Sequence, residues 1–402
     1  MALGNILTPV DVYAIVNDLV HQATGQSNLA AVDTSTFITV GETLLQTSPE
    51  NTLNALANVL GRTRFSVRPY RGKFDVLRME ADCWGAMTRK IVPLTQDAEQ
   101  TESYNTDLAA TQLADGNSID HYKIKKPAAM QLNFCGSKVV QNHITRFVDQ
   151  LYGAFRGEDE FAAFVEAYMQ EYENDIEQQN EEERRALVLN AMAGISDMGL
   201  TVVDLAAEYN AHYGTTYTRA QLLSTYFDSF MKFMAATVKT WSNKLTDRTA
   251  TYHANITGYK DILRHTPKDR QKMLMYSPLF TSAESNVYSG LFNPQYLNIG
   301  DFEEVNYWQA QDHPEQIYIK PNILNTTTGA SEIAAAAVNL EYVVGILFDE
   351  EGLAFNEQFY MSSVTPLNSA GLYWNIYNHS RFNGLCDYTE NMVLFVIGAG
   401  GS

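Results

Sequence analysis

Asp349, Glu350 and Glu351 stand side by side, and adjacent carboxylates are a source of paired acid–base groups or of calcium ligands. They fall between an apolar run and Gly352, the make-up of a turn, and a turn is how they are read. His379, followed by Arg381 and Cys386, offers the residue types of a base and a nucleophile. A hydrogen-bonded structural histidine is the simpler account of it. Spacings that carry specific chemistry are missing. The chain has no GxxxxGK[ST], no HExxH and no GxSxG, and no two histidines lie three or four positions apart. The closing GAGGS has no helix after it on which to seat a phosphate. Cys83, Cys135 and Cys386 are widely spaced and read as small buried or half-buried side chains in a reducing compartment. No catalytic, metal-binding or cofactor-binding residue is expected, and no cofactor.

Charge is the feature that rises above this background. Arg62, Arg64, Arg68, Arg71, Lys73 and Arg78 crowd one side of a long polar excursion, and Lys123, Lys125 and Lys126 the other. Further along, 11 acidic residues lie between Glu158 and Glu183, among them Glu166, Glu173 and Glu177. The basic arms of one copy and the acidic helix of another are therefore candidate subunit-interface partners. Each exposed pair contributes only about 0–1 kcal/mol, so such pairing sets register and partner choice rather than bulk affinity.

The elements that must position these charges are legible in outline. Thr8, Pro9 and Asp11 open an N-terminal helix with Val12, Ile15, Val16, Leu19 and Val20 on one face. A second helix starts at Ser48-Pro49 and stops at Gly61, and the intervening 32–45 reads as extended or mixed. Two short amphipathic helices need a partner to cover them, so this region is an arm. Phe65 and Val67 alternate with polar neighbours, as do Met130, Leu132 and Phe134, which predicts two strands. Residues 95–120 between them are polar and weakly patterned, which makes a projecting hairpin. A helix follows over 158–193, ending before Gly194. Thr201 and Asp204 cap a shorter one, and a long helix runs from Thr218 to Lys244. Ala330–Val338 reads as a small-residue helix, and Leu340–Phe348 and Met392–Ile397 as buried strands. The class is α+β.

At 402 residues the chain has room for two or three domain-sized units. With 28 Lys and Arg against 47 Asp and Glu, its formal charge is −19. Such a surface is poorly suited to gripping nucleic-acid phosphates. No run approaches 18 apolar residues, so no membrane span and no membrane partner are expected.

This order of elements resembles the major capsid protein of tailed bacteriophages, the Hong-Kong-97-type fold. TPVDVYAIVNDLVHQATG and SPENTLNALANVLGRTRFSVRPYRGKF look like that family's arm and the lead into its extended loop, and LCDYTENMVLFVIGAGG like its closing strands. The resemblance implies an N-terminal arm (1–61) and an extended β-hairpin loop (62–130). After these come a peripheral domain (131–255) with spine helix 158–193, and an axial domain (256–402) with possible return strands. It implies a homo-oligomer of hexamers and pentamers in an icosahedral shell, enclosing double-stranded DNA without sequence-specific binding. The expected location is the virion capsid, assembled in the bacterial host cytoplasm. A separate scaffolding protein and a portal are the expected partners, since an arm of this length holds no large fused scaffold. Two other readings stay open at this point: an encapsulin-like nanocompartment shell, and a soluble α+β enzyme without a recognisable motif.

Overall fold

The computed structural model describes residues 72–79, 87–94, 112–122, 124–147, 158–279 and 301–399, with scattered positions between 13 and 43 and at 98, 102 and 103. The chain divides into two compact units, each assembled from three separate stretches. The first takes residues 1–85, 136–186 and 354–384, and the second takes 86–135, 187–353 and 385–402.

In the first unit the described N-terminal positions at 13–21 are helical, with Val16 and Val20 buried, as the apolar spacing predicts. The stretch 32–45, expected to be extended or mixed, is helical at its described positions from 36 to 43. Capping outweighs the β-branched composition there. Asp33 Oδ1 accepts from the Thr36 N–H at 2.8 Å, and Phe37 and Val40, one turn apart, are buried. The predicted helix at 48–61 and the strand at Phe65–Val67 lie outside the described residues.

The rest of this unit is a three-stranded sheet in the order β12–β13–β3, comprising β3 (Lys138–Phe147), β12 (Leu353–Val364) and β13 (Tyr373–Cys386). Strands β3 and β13 run antiparallel from Tyr373↔Phe147 to Phe382↔Lys138. Helix α1 (Glu158–Asp197) belongs to this unit up to Ala186. The Asn142 amide donates to Gln179 at 3.2 Å and Lys138 pairs with Glu183, so β3 faces the helix. The helix is rich in Glu, Gln and Ala and is supported by an i,i+4 pair, Arg185 to Glu181, at 2.9 Å. It runs through Gly194 rather than ending before it, because Gly194 is where another side chain crosses closely, as shown below.

The second unit is built on a five-stranded sheet in the order β4–β14–β11–β5–β6. Its strands are β4 (Val202–Asp204), β5 (Gln271–Tyr276), β6 (Asp301–Val305), β11 (Val343–Asp349) and β14 (Met392–Val396). The two apolar runs predicted as buried strands are its centre. All seven residues of β11 are buried, which explains why it lacks the alternation of a one-faced strand. A Cβ at Gly345 would lie 2.4 Å from the Leu274 carbonyl oxygen, so only glycine lets β5 and β11 approach this closely.

Helices α2 (Leu205–Tyr213), α3 (Arg219–Leu222) and α4 (Phe227–Lys244) cover the sheet. Phe230, Met234 and Val238 share one core with Met273, Leu347, Val393 and Phe395. Asp204 caps α2 as expected, accepting from the N–H groups of Ala206 and Ala207. The single helix predicted from Thr218 to Lys244 is instead two. The Tyr226 N–H turns back to Gln221 O at 3.0 Å, and the Tyr226 ring stacks on Tyr217 with centroids 3.9 Å apart, which forms a corner. The predicted helix Ala330–Val338 is also corrected. Its residues fall on β9 (Ser331–Ile333) and the start of β10 (Val338–Leu340), paired with β8 (Asn322–Leu324) and β7 (Ile317–Ile319). Alanine propensity yields to pairing: Ala334 donates to Pro321 O, and Asn325 and Gly329 close the β8–β9 turn.

A two-stranded ribbon completes this unit. Strand β2 (Ala129–Cys135) is the one predicted from Met130, Leu132 and Phe134. Its partner is β1 (Met87–Pro93), in register from Met87↔Cys135 to Pro93↔Ala129.

Candidate functional site

The sequence-predicted interface residues divide by where they fall. Arg62, Arg64, Arg68, Arg71 and Lys123 lie outside the described residues, as do the side chains of Glu158, Glu166 and Glu173 on α1. Lys125 and Lys126 are exposed on the returning side of the ribbon, near Tyr122 and Ile124, which are 89% and 82% exposed. Lys73 is exposed in the turn before a short 3-10 segment, Asp75–Leu77.

Arg78 and Glu177 are brought into one network within the first unit. At its centre is Arg184, whose side chain is fully buried. Its guanidinium reaches Glu357 at 2.9 Å, Glu177 at 3.1 Å and Asp75 at 3.6 Å, and it lies over the Phe355 ring at 5.3 Å. Arg78 pairs with Glu357 at 3.0 Å, and Glu177 also accepts from the Gly72 N–H at 3.2 Å. A buried guanidinium needs this many acceptors, because an unpaired charge in the interior is costly. These contacts tie residues 72–78 to helix α1 and strand β12 inside one chain.

A second polar cluster, in the other unit, was not anticipated. The loop 387–391, Asp-Tyr-Thr-Glu-Asn, joins β13 to β14 and is buried at every position. Asp387 Oδ1 accepts from the N–H and hydroxyl of Thr389 at 2.9 and 2.7 Å, and its Oδ2 meets Lys90 Nζ at 2.9 Å. Glu390 also pairs with Lys90, and with Arg264 at 2.8 Å. Glu351 lies 3.3 Å from the same ammonium. Tyr388 Oη is within hydrogen-bond distance of the carbonyls of Asn190 and Asn322, at 3.1 and 3.0 Å. Asn391 donates to Thr266, whose hydroxyl donates to Asp349 at 2.7 Å, and Asn391 lies 3.0 Å from His253 Nδ1.

The electrostatics follow from this burial. Burial pushes Glu390 up to about 7, against the pull of Lys90 and Arg264. Burial alone would lower Lys90, but Asp387 and Glu390 outweigh it and hold the ammonium above its ordinary value. Burial holds His253 below its ordinary value, against its hydrogen bonds to Asn391 and Ile262. Burial pushes the Cys386 thiol up to about 12.

Each contact described for the loop is to its own chain. Asp349-Glu350-Glu351 form the expected turn, closed by Gly352 N–H to Asp349 O at 2.8 Å. His379 lies on β13 opposite Gln141. Among the described residues no group of three metal-ligating side chains comes together, and no helix is long and apolar enough to cross a membrane. The polar residues just before the apolar strand β14 were the available signal for the loop, but the cations it meets, Lys90 and Arg264, are over a hundred positions away in sequence.

Comparison with known proteins supplies what this geometry does not. The family model for the Phi29-like phage major capsid protein matches residues 13–396. The comparison with curated proteins finds no match. Among solved structures, the chain is similar to one in the capsid structure of Staphylococcus phage Andhra, with TM-score 0.55 and 10% identity, over 84% of this chain and 87% of that one. It is also similar to a chain in the structure of head fiber and inner core protein gp22 of native bacteriophage P68, with TM-score 0.51 and 10% identity, over the same shares. At such identities the likeness is one of fold.

Proposed function

Because the chain belongs to the Phi29-like phage major capsid protein family, we propose that its charged ribbon and acidic helix are the means by which copies join into a shell. The protein is a phage major capsid protein, a structural component of the virion. The family match over residues 13–396 is the observation that carries this reading. The mixed helix–sheet architecture agrees with it. The nanocompartment and enzyme readings have no comparable support.

In the Hong-Kong-97-type arrangement, residues 131–255 are the peripheral domain with helix α1 as its spine, and residues 256–402 are the axial domain. The ribbon is the extended loop that reaches a neighbour in a hexamer or pentamer. Exposed Tyr122 and Ile124 beside Lys125 and Lys126 favour an acidic, partly apolar surface as its seat. Arg78 and Glu177 have partners in their own chain. The net charge of −19 suits a wall around packed double-stranded DNA, repelling the phosphates instead of binding them. A scaffolding protein and a portal are the assembly partners, in the host cytoplasm.

Negative-stain electron microscopy of the purified full-length protein, alone and with its phage's scaffolding protein, tests this. Closed shells, or rings of five or six subunits, are expected. A monomer or dimer that stays small under both conditions overturns the assembly reading.

A further inference from the structure

The ribbon carries an anomaly on its inward face. Side chains alternate along β1: Arg89 and Ile91 point to solvent, Ile91 being 64% exposed, while Lys90 and Val92 turn inward. Val92 joins Met130, Ile256 and Ile262 in a small apolar cluster, with Leu94, Leu132 and Leu324 against it. The next inward position would be expected to extend that cluster. It holds a lysine whose side chain is only 17% exposed.

Apolar contacts are non-directional and tolerate rotation or slippage of a two-stranded ribbon, which is marginal in isolation. The Lys90 ammonium is directional. It meets Asp387 at 2.9 Å and Glu351 at 3.3 Å and pairs with Glu390, at the same carboxylate oxygen that Arg264 meets. Asp387 is itself fixed by two bonds from Thr389. A slip of one residue would turn Lys90 to solvent and leave Asp387 and Glu390 buried without it.

We propose that Lys90 is a positioning residue for assembly, its ammonium locking the base of the ribbon in one register and direction on the 387–390 loop. This rests on the reading of the ribbon as the element that reaches a neighbouring copy. The apolar cluster holds the ribbon close, and the ion cluster decides which way it points. Bending is then confined beyond Leu94 and Ala128, whose backbone bond of 2.9 Å ends the ribbon.

The test uses full-length unassembled protein and three variants: Lys90→Met, Lys90→Met with Glu390→Gln, and Lys90→Arg. The double variant removes the lysine together with one of the two buried carboxylates it neutralises. Hydrogen exchange of β1 and β2 amides is expected to accelerate at least about tenfold in the double variant, with β11 and β14 unchanged. Lys90→Arg is expected to restore protection, and only the wild type and Lys90→Arg to form regular shells. Unchanged ribbon exchange in the double variant overturns the proposal. So does equal loss of protection in β11 and β14, which would make Lys90 a folding residue. Exchange is read before assembly, so wild-type protein that never forms shells would sink the capsid reading and leave this one to be decided separately.

Discussion

Tyr388 lies across helix α1 at Gly194, so close that a Cβ on that glycine would sit 2.0 Å from the phenol oxygen. The contact lets Tyr388 Oη reach the Asn190 and Asn322 carbonyls and anchors the buried loop 387–391 to the helix. Gly194→Ala is therefore expected to destabilise the unassembled subunit by about 1–3 kcal/mol, the usual cost of overpacking. Urea unfolding monitored by tryptophan fluorescence measures it. A change below about 0.5 kcal/mol would mean that the loop moves freely away.

Arg184 is the corresponding anchor in the first unit. Arg184→Met would leave Glu177, Glu357 and Asp75 without their shared buried cation, and a loss of about 3–5 kcal/mol is expected. Arg184→Lys should recover only part of it. A single ammonium cannot reproduce the separate bonds made by two guanidinium nitrogens to Glu177 and Glu357. Denaturant midpoints of both variants check this, and full rescue by lysine would contradict it.

Glu390 makes stability depend on pH in a defined direction. Its carboxyl is pushed from an ordinary 4.5 up to about 7, so the folded state binds the proton more tightly than the unfolded state does. That contribution is complete below the ordinary value and is lost as pH rises through about 7. His253, held below its ordinary value, acts in the opposite sense in acid, so the useful quantity is the difference between two proteins. From about pH 5 to 8 the wild type should lose stability relative to Glu390→Gln. Parallel curves from denaturant midpoints across that range would refute the assignment.

Cys386 should be inert in the folded protein. With its thiol pushed up to about 12 by burial, almost no thiolate exists near neutral pH. Iodoacetamide treatment at about pH 8 followed by peptide mass spectrometry is expected to leave Cys386 unmodified until denaturant is added. Rapid labelling under native conditions would show that the β13 end opens readily.

Local signals were legible where one short stretch of chain contains both the cause and the effect. Asp204 caps α2 because the N–H groups it serves are two and three residues away. The apolar runs at 343–348 and 392–396 are strands because nothing polar in them could face water. The same logic failed where a distant partner outbid local preference. Ala330–Val338 has helical composition but pairs as strands, and Gly194 serves Tyr388 instead of ending a helix. Among the candidate site residues, Arg78 and Glu177 were visible as charges, but Arg184, which pairs with Glu177 and shares Glu357 with Arg78, joins positions from 75 to 357.

The sequence by itself therefore determined the α+β class, the acidic balance, the long helix and the buried strands, and through its order of elements the capsid resemblance. Composition and periodicity act over a few residues and need no knowledge of what lies across the molecule. Only the tertiary structure decided that β1 is the partner of β2, that Lys90 turns inward, and that residues 387–391 form a buried polar cluster. Those outcomes depend on which carboxylates meet which cations after the chain has closed. The energy of such pairs comes from burial and geometry, and neither exists until the fold does.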